Sequence, residues 1–247
     1  MIDLNTHIKM TDCLESDINY LTNIAGELKQ QGVTDCVLTP STNYFLINEE
    51  FDQKYEKLIN SVSTKVNGIN FRKGTVLKLS TFNEYEGDLD KYLITGTNYV
   101  NLELSYRQKW KEKYFSKIED FIAISNFIPI ITTIESYPAI HNNPNLVQNL
   151  INSECIISAS IEFVLSKKNR KLIFKLINHD LIDVLVTSYS YENFSEVKIK
   201  KAIKVLEKKF GEDKIQNLLN NSLKILNNNE IERNYHKPFK KFLWFYL

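Results

Sequence analysis

The chain has 247 residues, of which 43% are hydrophobic and 25% charged, and its formal net charge is +1. This composition is typical of a globular protein with a sizeable core, and the near-zero charge gives no general attraction to nucleic acid. Because no run of 18 apolar residues and no basic-then-apolar leader occurs, we expect a cytoplasmic protein without a membrane span or signal peptide. Three widely spaced cysteines, without a Cys-x-x-Cys pair, suggest neither a zinc site nor a disulfide framework.

Apolar strands alternate with amphipathic helices along most of the chain. The predicted strands cover 1–7, 36–38, 69–79, 99–104, 128–134, 155–161 and 184–186. The predicted helices cover 16–32, 48–66, 85–92, 108–126, 146–152, 168–177, 197–210, 212–219 and 222–226. This alternation indicates parallel βαβ units. About seven strands without a domain break predict a closed or nearly closed α/β barrel, with a doubly wound open sheet as the alternative.

Polar side chains end the first predicted strand. Asp3, Asn5 and His7 are spaced by two residues, so a regular strand would point all three the same way. The carboxyl ends of the strands form the active face of a parallel barrel. The heptapeptide is therefore a candidate site, although an ordinary buried strand that runs into a loop has the same pattern.

Seven segments together resemble one protein family in order and spacing. They are 1–7 (MIDLNTH), 31–41 (QGVTDCVLTPS), 74–76 (GTV), 102–105 (LELS), 129–137 (PIITTIESY), 181–190 (LIDVLVTSYS) and 221–226 (NSLKIL). The chain is similar, over residues 1–226, to the capsule-type, metal-dependent bacterial tyrosine phosphatases of the polymerase-and-histidinol-phosphatase (PHP) superfamily. The resemblance implies a distorted (β/α)7 TIM-like barrel and a cluster of divalent metals, such as Mn, at the strand ends. It also implies phosphotyrosine hydrolysis on a capsule-synthesis kinase.

Most of the metal ligands that the resemblance implies are replaced in this sequence. The family's Asp-x-His-x-His pattern keeps only its second histidine, His7, and Glu103 is the one other retained ligand type. Asp12 is an uncertain match to a further family acid. The positions at which ligands are lost are Asn5, Ser41, Val76, Thr133, Ser188 and Ser190. Ser136 stands where the family has an arginine suited to binding phosphate.

These replacements remove the chemistry that a metal cluster needs. Divalent metals are held by imidazole nitrogen and carboxylate oxygen, whereas Ser, Thr and Asn are weak ligands and Val is none. We therefore predict no metal or other cofactor, and a vestigial pocket with no catalytic residue. The first hypothesis is a pseudo-phosphatase with a binding, regulatory or scaffolding role in capsule or exopolysaccharide synthesis. The alternative is an active phosphoprotein (tyrosine) phosphatase, or another phosphoesterase, with a rearranged metal centre.

Other nucleophiles and the C-terminus add little catalytic potential. Cys36 and Cys155 lie in apolar runs and predict core packing, and no base is placed beside Ser41, Ser188 or Ser190. We expect one barrel domain over residues 1–229 and a basic, aromatic tail over 230–247. The tail either docks on the barrel or, through residues 236–247, binds a partner or makes peripheral membrane contact. A capsule-type tyrosine kinase or another protein is the expected partner, and no nucleic acid is expected.

The retained His7 carries a prediction of its own. If His7 lies near Glu103 or Asp3 without a metal between them, the carboxylate favours the imidazolium form. The pKa of His7 is then expected to lie above its ordinary value of about 6.5. The alternative is a neutral, buried imidazole that is hydrogen-bonded to the backbone.

Overall fold

The computed structural model describes residues 1–8, 10–40, 48–84, 89–187 and 198–233, together with the backbone of 241–242 and 245–246. Eight parallel strands form its centre, arranged in two sheets of order β1-β2-β3 and β4-β5-β6-β7-β8. Their bounds are β1 Ile2–Ile8, β2 Asp35–Pro40, β3 Asn70–Lys73, β4 Val76–Lys78, β5 Tyr99–Glu103, β6 Ile128–Ile131, β7 Ile156–Ser160 and β8 Val184–Val186. A short antiparallel pair, β9 Lys241–Phe242 and β10 Phe245–Tyr246, lies near the end of the chain.

The helices follow the strands in the alternation that the sequence predicts. Their bounds are α1 Leu14–Gln30, α2 Glu49–Lys65, α3 Glu112–Ser125, α4 Pro138–Asn142, α5 Leu146–Asn152, α6 Lys167–Asn178, α7 Ile199–Phe210 and α8 Glu212–Leu226. Short 3₁₀ segments also occur, for example Asp90–Tyr92. In the part of the chain that the structure describes, no helix is both long and apolar enough to cross a membrane.

β3 and β4 are two parts of one bent segment, which joins the two sheets into a distorted seven-stranded α/β barrel. The first part pairs with β2 and the second with β5, and Gly74 lies between them. A Cβ at Gly74 would lie 2.5 Å from Val37, so only glycine fits this bend without displacing a neighbour. Within the described residues, no backbone hydrogen bond joins β8 to β1. The hydrogen-bond ladder is therefore interrupted between these two strands, and we call this boundary the seam.

Side chains from all parts of the barrel fill its interior. Leu4, Val37, Ile130 and Val184 belong to one buried cluster, separate from the larger core that packs strands against helices. Ile225 and Leu226 at the end of α8 join the interior cluster. Strands β6 and β8 are unbroken apolar runs, as is expected of parallel strands that are buried on both faces.

Residues 227–233, which we call the strap, run from α8 across the amino-terminal ends of the strands, which we call the floor. Tyr99 Oη donates to the carbonyl of Asn229 at 2.8 Å, and Asn98 N donates to Asn228 Oδ1 at 2.8 Å. Arg233 then pairs with the buried Asp183, with Nε–Oδ1 and Nη2–Oδ2 distances of 2.9 Å. The strap is thus fixed to the floor at both ends.

The element predictions succeed for most segments and fail for four. The strand predicted over 69–79 divides at Gly74, and the two helices predicted over 212–226 are one. Pro138–Asn142 is helical although no helix is predicted there, and residues 90–92 form only a 3₁₀ turn. Residues 85–88 of that predicted helix lie outside the described chain.

Candidate functional site at the carboxyl ends of the strands

The carboxyl ends of the parallel strands, which we call the rim, carry a chain of neutral hydrogen bonds. Thr39 Oγ1 donates to Asn5 Oδ1 at 2.9 Å, and Asn5 Nδ2 lies 3.3 Å from His7 Nε2. An amide nitrogen can only donate, so Nε2 of His7 accepts and the imidazole carries its proton on Nδ1. The lone pair with which Nε2 would bind a metal is therefore used within the protein.

Burial lowers the pKa of His7, with an opposing effect from the charge of Asp3. The prediction of a raised pKa is wrong, because loss of hydration costs the imidazolium more than the nearby carboxylate returns. Nor do the hydrogen bonds and ion pairs of the described residues join His7 to Glu103. The alternative of a neutral imidazole is correct in its charge state, but its described partner is the Asn5 side chain rather than the backbone.

Asp3 is fully buried and belongs to the seam of the barrel rather than to a metal site. Its carboxylate accepts from Thr6 Oγ1 at 2.5 Å and from Thr187 at both N (2.8 Å) and Oγ1 (2.5 Å). The strand register shifts between Asp3 and Thr6, which marks a bulge in β1. The bulge interrupts the regular alternation on which the predicted common direction of Asp3, Asn5 and His7 depends, and the side-chain partners of Asp3 are Thr6 and Thr187.

Glu103 lies half-buried at the end of β5. Burial raises its pKa, and the positive charge of Lys78 partly opposes this. Burial, and to a smaller extent the negative charge of Glu103, raise the pKa values of the Tyr106 and Tyr114 hydroxyls. Glu103 thus faces one lysine and aromatic side chains, rather than a cluster of metal ligands.

The segment after β6 presents only hydroxyl groups where the resemblance implies a histidine and an arginine. Thr133 has a positive φ of 44°, an uncommon conformation for a β-branched residue, and its N–H donates to Ser158 Oγ at 3.1 Å. Ser136 Oγ lies 3.4 Å from Thr133 Oγ1 and from Tyr106 Oη. The Tyr106 ring is 44% exposed and stacks on Tyr137.

The remaining predicted site residues do not extend this group. Val76 is buried in β4, and Asp12 is exposed in the loop between β1 and α1. Ser41, Ser188 and Ser190 lie outside the described residues. Cys36 and Cys155 are fully buried, and burial raises their pKa values, to about 12 for Cys155, so core packing is confirmed for both.

A pair of acidic side chains near the rim is absent from the predicted site. Glu135 is fully buried, and its Oε1 accepts from Ser160 N at 2.9 Å, while Ser160 Oγ donates to Glu162 Oε2 at 2.9 Å. Burial, and to a smaller extent the charge of Glu162, raise the pKa of Glu135 to about 8. The only sequence signal is a glutamate four residues beyond an apolar strand, which cannot show that its carboxyl group is enclosed.

The described residues at the rim do not fit a multi-metal centre. No group of three or more His, Cys, Asp or Glu side chains that could hold a metal occurs in the described part of the chain. A catalytic zinc ion alone normally has three protein ligands. Among the stretches whose side chains the structure does not describe, 41–47 adds no such side chain, whereas 83–88 adds Glu84, Glu86 and Asp88, 188–197 adds Glu192 and Glu196, and 234–247 adds His236.

A family model, a relative and a solved structure resemble this chain over nearly its whole length. The model of the capsular polysaccharide synthesis family CpsB/CapC matches residues 1–227. The tyrosine-protein phosphatase YwqE of Bacillus subtilis is 23% identical, over 98% of this chain and 97% of its own. A structure from work on YwqE of B. subtilis and CpsB of Streptococcus pneumoniae, described as metal-dependent tyrosine phosphatases, has a TM-score of 0.81 and 18% identity. That match covers 98% of this chain and 100% of the other, and it confirms the predicted fold.

Proposed function

The chain belongs to the CpsB/CapC family of capsular polysaccharide synthesis proteins. We propose that it is a catalytically degenerate member, which binds its partner but does not hydrolyse a phosphate ester on it. Its role is regulatory or scaffolding, in capsule or exopolysaccharide synthesis. The observation that carries this proposal is the hydrogen bond between Asn5 and His7. His7, which stands at a metal-ligand position of the family, here completes a hydrogen-bond network within the protein.

The loss of donors supports the same function. A metal lowers the pKa of bound water and offsets the charge of a phosphoryl group, and neither effect is available from hydroxyl and amide side chains. Thr133 and Ser136 supply no charge, and Val76 supplies no donor. The requirements for phosphoryl transfer are therefore missing, whereas a polar surface of similar backbone shape persists.

The rim is also poorly suited to bind a phosphate dianion tightly. Its carboxylates include Glu103, and His7 is neutral because burial lowers its pKa. Lys78 is the positive charge that acts on Glu103. We therefore expect recognition of the partner, a capsule-type tyrosine kinase, to depend on surfaces and neutral polar contacts rather than on a bound phosphotyrosine.

Two measurements on the purified protein test this proposal. Elemental analysis is expected to find Mn, Fe and Zn well below one atom per chain. With a phosphotyrosine peptide and added Mn²⁺, turnover is expected to stay far below about 1 s⁻¹, the low end of typical enzyme rates. Near-stoichiometric metal, or such turnover that disappears in Glu103→Gln, would instead support the active phosphatase with a rearranged centre.

Restoring ligands provides a matched control for the assay. The variant Asn5→His, Thr133→His, Ser188→Asp and Ser190→His replaces four neutral side chains by the types that the family resemblance implies. A gain of metal binding in this variant, beside none in the wild type, would show that the rim backbone is competent and that the side chains are limiting. Near-stoichiometric metal binding by both proteins would contradict the proposal.

A further inference from the structure

A polar cleft lies at the floor of the barrel, between α8 and the strap. Its volume is about 340 Å³. This is near the lower limit of the range that is typical of small-molecule clefts, about 300–1,000 Å³. Both ends of α8 lie at the floor, because Lys214 at its start pairs with Asp180 in the turn before β8, and Ile225 near its end joins the interior cluster. The strap then returns to Asp183, so the cleft is at the opposite end of the barrel from the rim.

One face of α8 forms the first wall of the cleft. It carries four polar side chains at intervals of three and four residues, which places them in one row on a helix: Lys214, Asn217, Asn221 and Lys224. Leu218 belongs to the same face and is buried against the core. This wall therefore presents amide and amine groups beside an apolar base.

The strap forms the opposite wall through Glu232 and Arg233. Arg233 is held in place, since its Nε and Nη2 donate to Asp183 at 2.9 Å and Nη2 also donates to the Cys155 carbonyl. Among the residues that the structure describes, none accepts a hydrogen bond from Nη1 of Arg233. Because both ends of the strap are fixed to the floor, this wall is preformed, and a ligand does not have to order it.

The two walls offer hydrogen-bond donors and acceptors that the described residues leave unused. Asn221 Nδ2 donates to the Asp183 carbonyl at 2.9 Å, and Oδ1 of the same amide has no partner in the described part of the chain. The side chains of Asn217, Lys224 and Glu232 make no hydrogen bond or ion pair with the described residues either. An amide both donates and accepts, an amine only donates and a carboxylate only accepts. The ligand that suits this set therefore has groups that do both, as hydroxyl groups do.

The charges that line the cleft are balanced. The acidic side chains are Asp180, Asp183 and Glu232, and the basic ones are Lys214, Lys224 and Arg233. Two pairs already neutralise each other, Lys214 with Asp180 and Arg233 with Asp183. An ion would have to leave water for a site without a net charge of the opposite sign, which costs free energy. The cleft therefore favours an uncharged ligand.

We propose that this cleft binds a neutral polyhydroxyl ligand, a single sugar ring, whose hydroxyl groups hydrogen-bond to Asn217, Asn221 and Lys224. Ile182 and Leu218 line the base, where the apolar C–H groups of the ring lose contact with water. A closed ring also has fewer conformations to lose on binding than an open-chain polyol. The proposal concerns the floor, so it does not depend on the function that we propose for the rim.

Titration of the ¹⁵N-labelled full-length protein, followed by NMR, tests this inference. We expect at least one of glucose, galactose and N-acetylglucosamine to shift the side-chain signals of Asn221 and Arg233 saturably, with a millimolar dissociation constant. Inorganic phosphate and the open-chain polyol sorbitol should bind more weakly than that sugar. The variant Asn217→Ala and Lys224→Ala removes two partners without breaking a described side-chain hydrogen bond. It is expected to bind the sugar at least about tenfold more weakly, because two hydrogen bonds are lost.

Substitution of the same two residue types on another helix provides the control. Lys57 and Asn60 are exposed on α2, and Lys57→Ala with Asn60→Ala removes an amine and an amide away from the cleft. We expect this control to keep the wild-type affinity. Equal loss in the two double variants would overturn the proposal, as would binding of phosphate or sorbitol as tight as that of the sugars. The absence of a saturable shift with all three sugars would overturn it too.

Discussion

Two buried acidic side chains, one at the floor and one near the rim of this barrel, differ in how completely their carboxyl oxygens are paired. At the floor, Asp183 accepts from Ile157 N at 2.8 Å and from two nitrogens of Arg233 at 2.9 Å. Near the rim, the buried Glu135 accepts one backbone bond through Oε1, Oε2 has no partner among the described atoms, and burial raises its pKa to about 8. A buried carboxylate with partners for its oxygens stabilises the fold. A buried carboxyl group with an unpaired oxygen and a shifted pKa is instead a candidate for a present or former functional role.

The largest expected effect is at the floor. Replacing Arg233 by Met leaves the Asp183 carboxylate buried without its charge partner, and breaking such a pair costs about 3–5 kcal/mol. We expect a loss near the lower value, because the Arg233 side chain is 22% exposed and water can partly replace it. Urea denaturation measures the change in the free energy of unfolding.

A second ion pair on the same side of the molecule is the control. Lys214 and Asp180 lie 2.6 Å apart but are both more exposed to solvent than Asp183. Lys214→Met should therefore cost only about 0–1 kcal/mol, as surface pairs do. Similar losses for Arg233→Met and Lys214→Met would contradict the distinction between a buried floor and an ordinary surface.

The seam between β1 and β8 gives the next largest effect. Asp3→Asn keeps the shape of the side chain but removes the charge that accepts from Thr6 and Thr187. A hydrogen bond to a charged group contributes about 1.5–3 kcal/mol, and we expect Asp3→Asn to lower the free energy of unfolding by about 2 kcal/mol. An unchanged denaturation midpoint would show that the seam is closed by packing alone. Glu112→Gln, on the exposed start of α3, serves as the control.

The sequence predicted the barrel because its strands are apolar runs between amphipathic helices, and this pattern depends only on near neighbours. It could not predict the bulge in β1 or the contacts of Asp3 beside it, which include Thr187, far along the chain. The Arg233–Asp183 pair likewise joins residues 50 positions apart. Of the candidate site, His7 and Glu103 were found through the resemblance. Their charge states were not, because burial by other elements decides them.

Glu135 should give the protein a distinctive pH dependence. Its folded pKa of about 8 lies above the ordinary 4.5, so between these values the folded state binds a proton that the unfolded state has released. Stability should therefore fall as pH rises through this window, by at most about 1.4 kcal/mol per pH unit, and level off above it. Glu135→Gln should remove this contribution, so that the variant gains on the wild type by about 1 kcal/mol or more between pH 5 and pH 8. Parallel pH profiles for the two proteins would contradict the assignment.

The smallest expected effect concerns His7 and compares the rim most directly with its relatives. Because burial lowers the folded pKa of His7, protonation favours the unfolded state. The stabilising effect of the neutral ring is present above the unfolded value of about 6.5, and it is lost as pH falls from that value to the folded pKa, below which no further loss occurs. NMR titration should give a His7 midpoint below about 6.5. Asn5→Ala removes the donor to Nε2 and opens the site to water, so it should move the midpoint of His7 upward toward the ordinary value. A midpoint above about 6.5 in the wild type would contradict this prediction. It would support a charged pair between His7 and a carboxylate, and therefore a rim that keeps the electrostatics of a metal site.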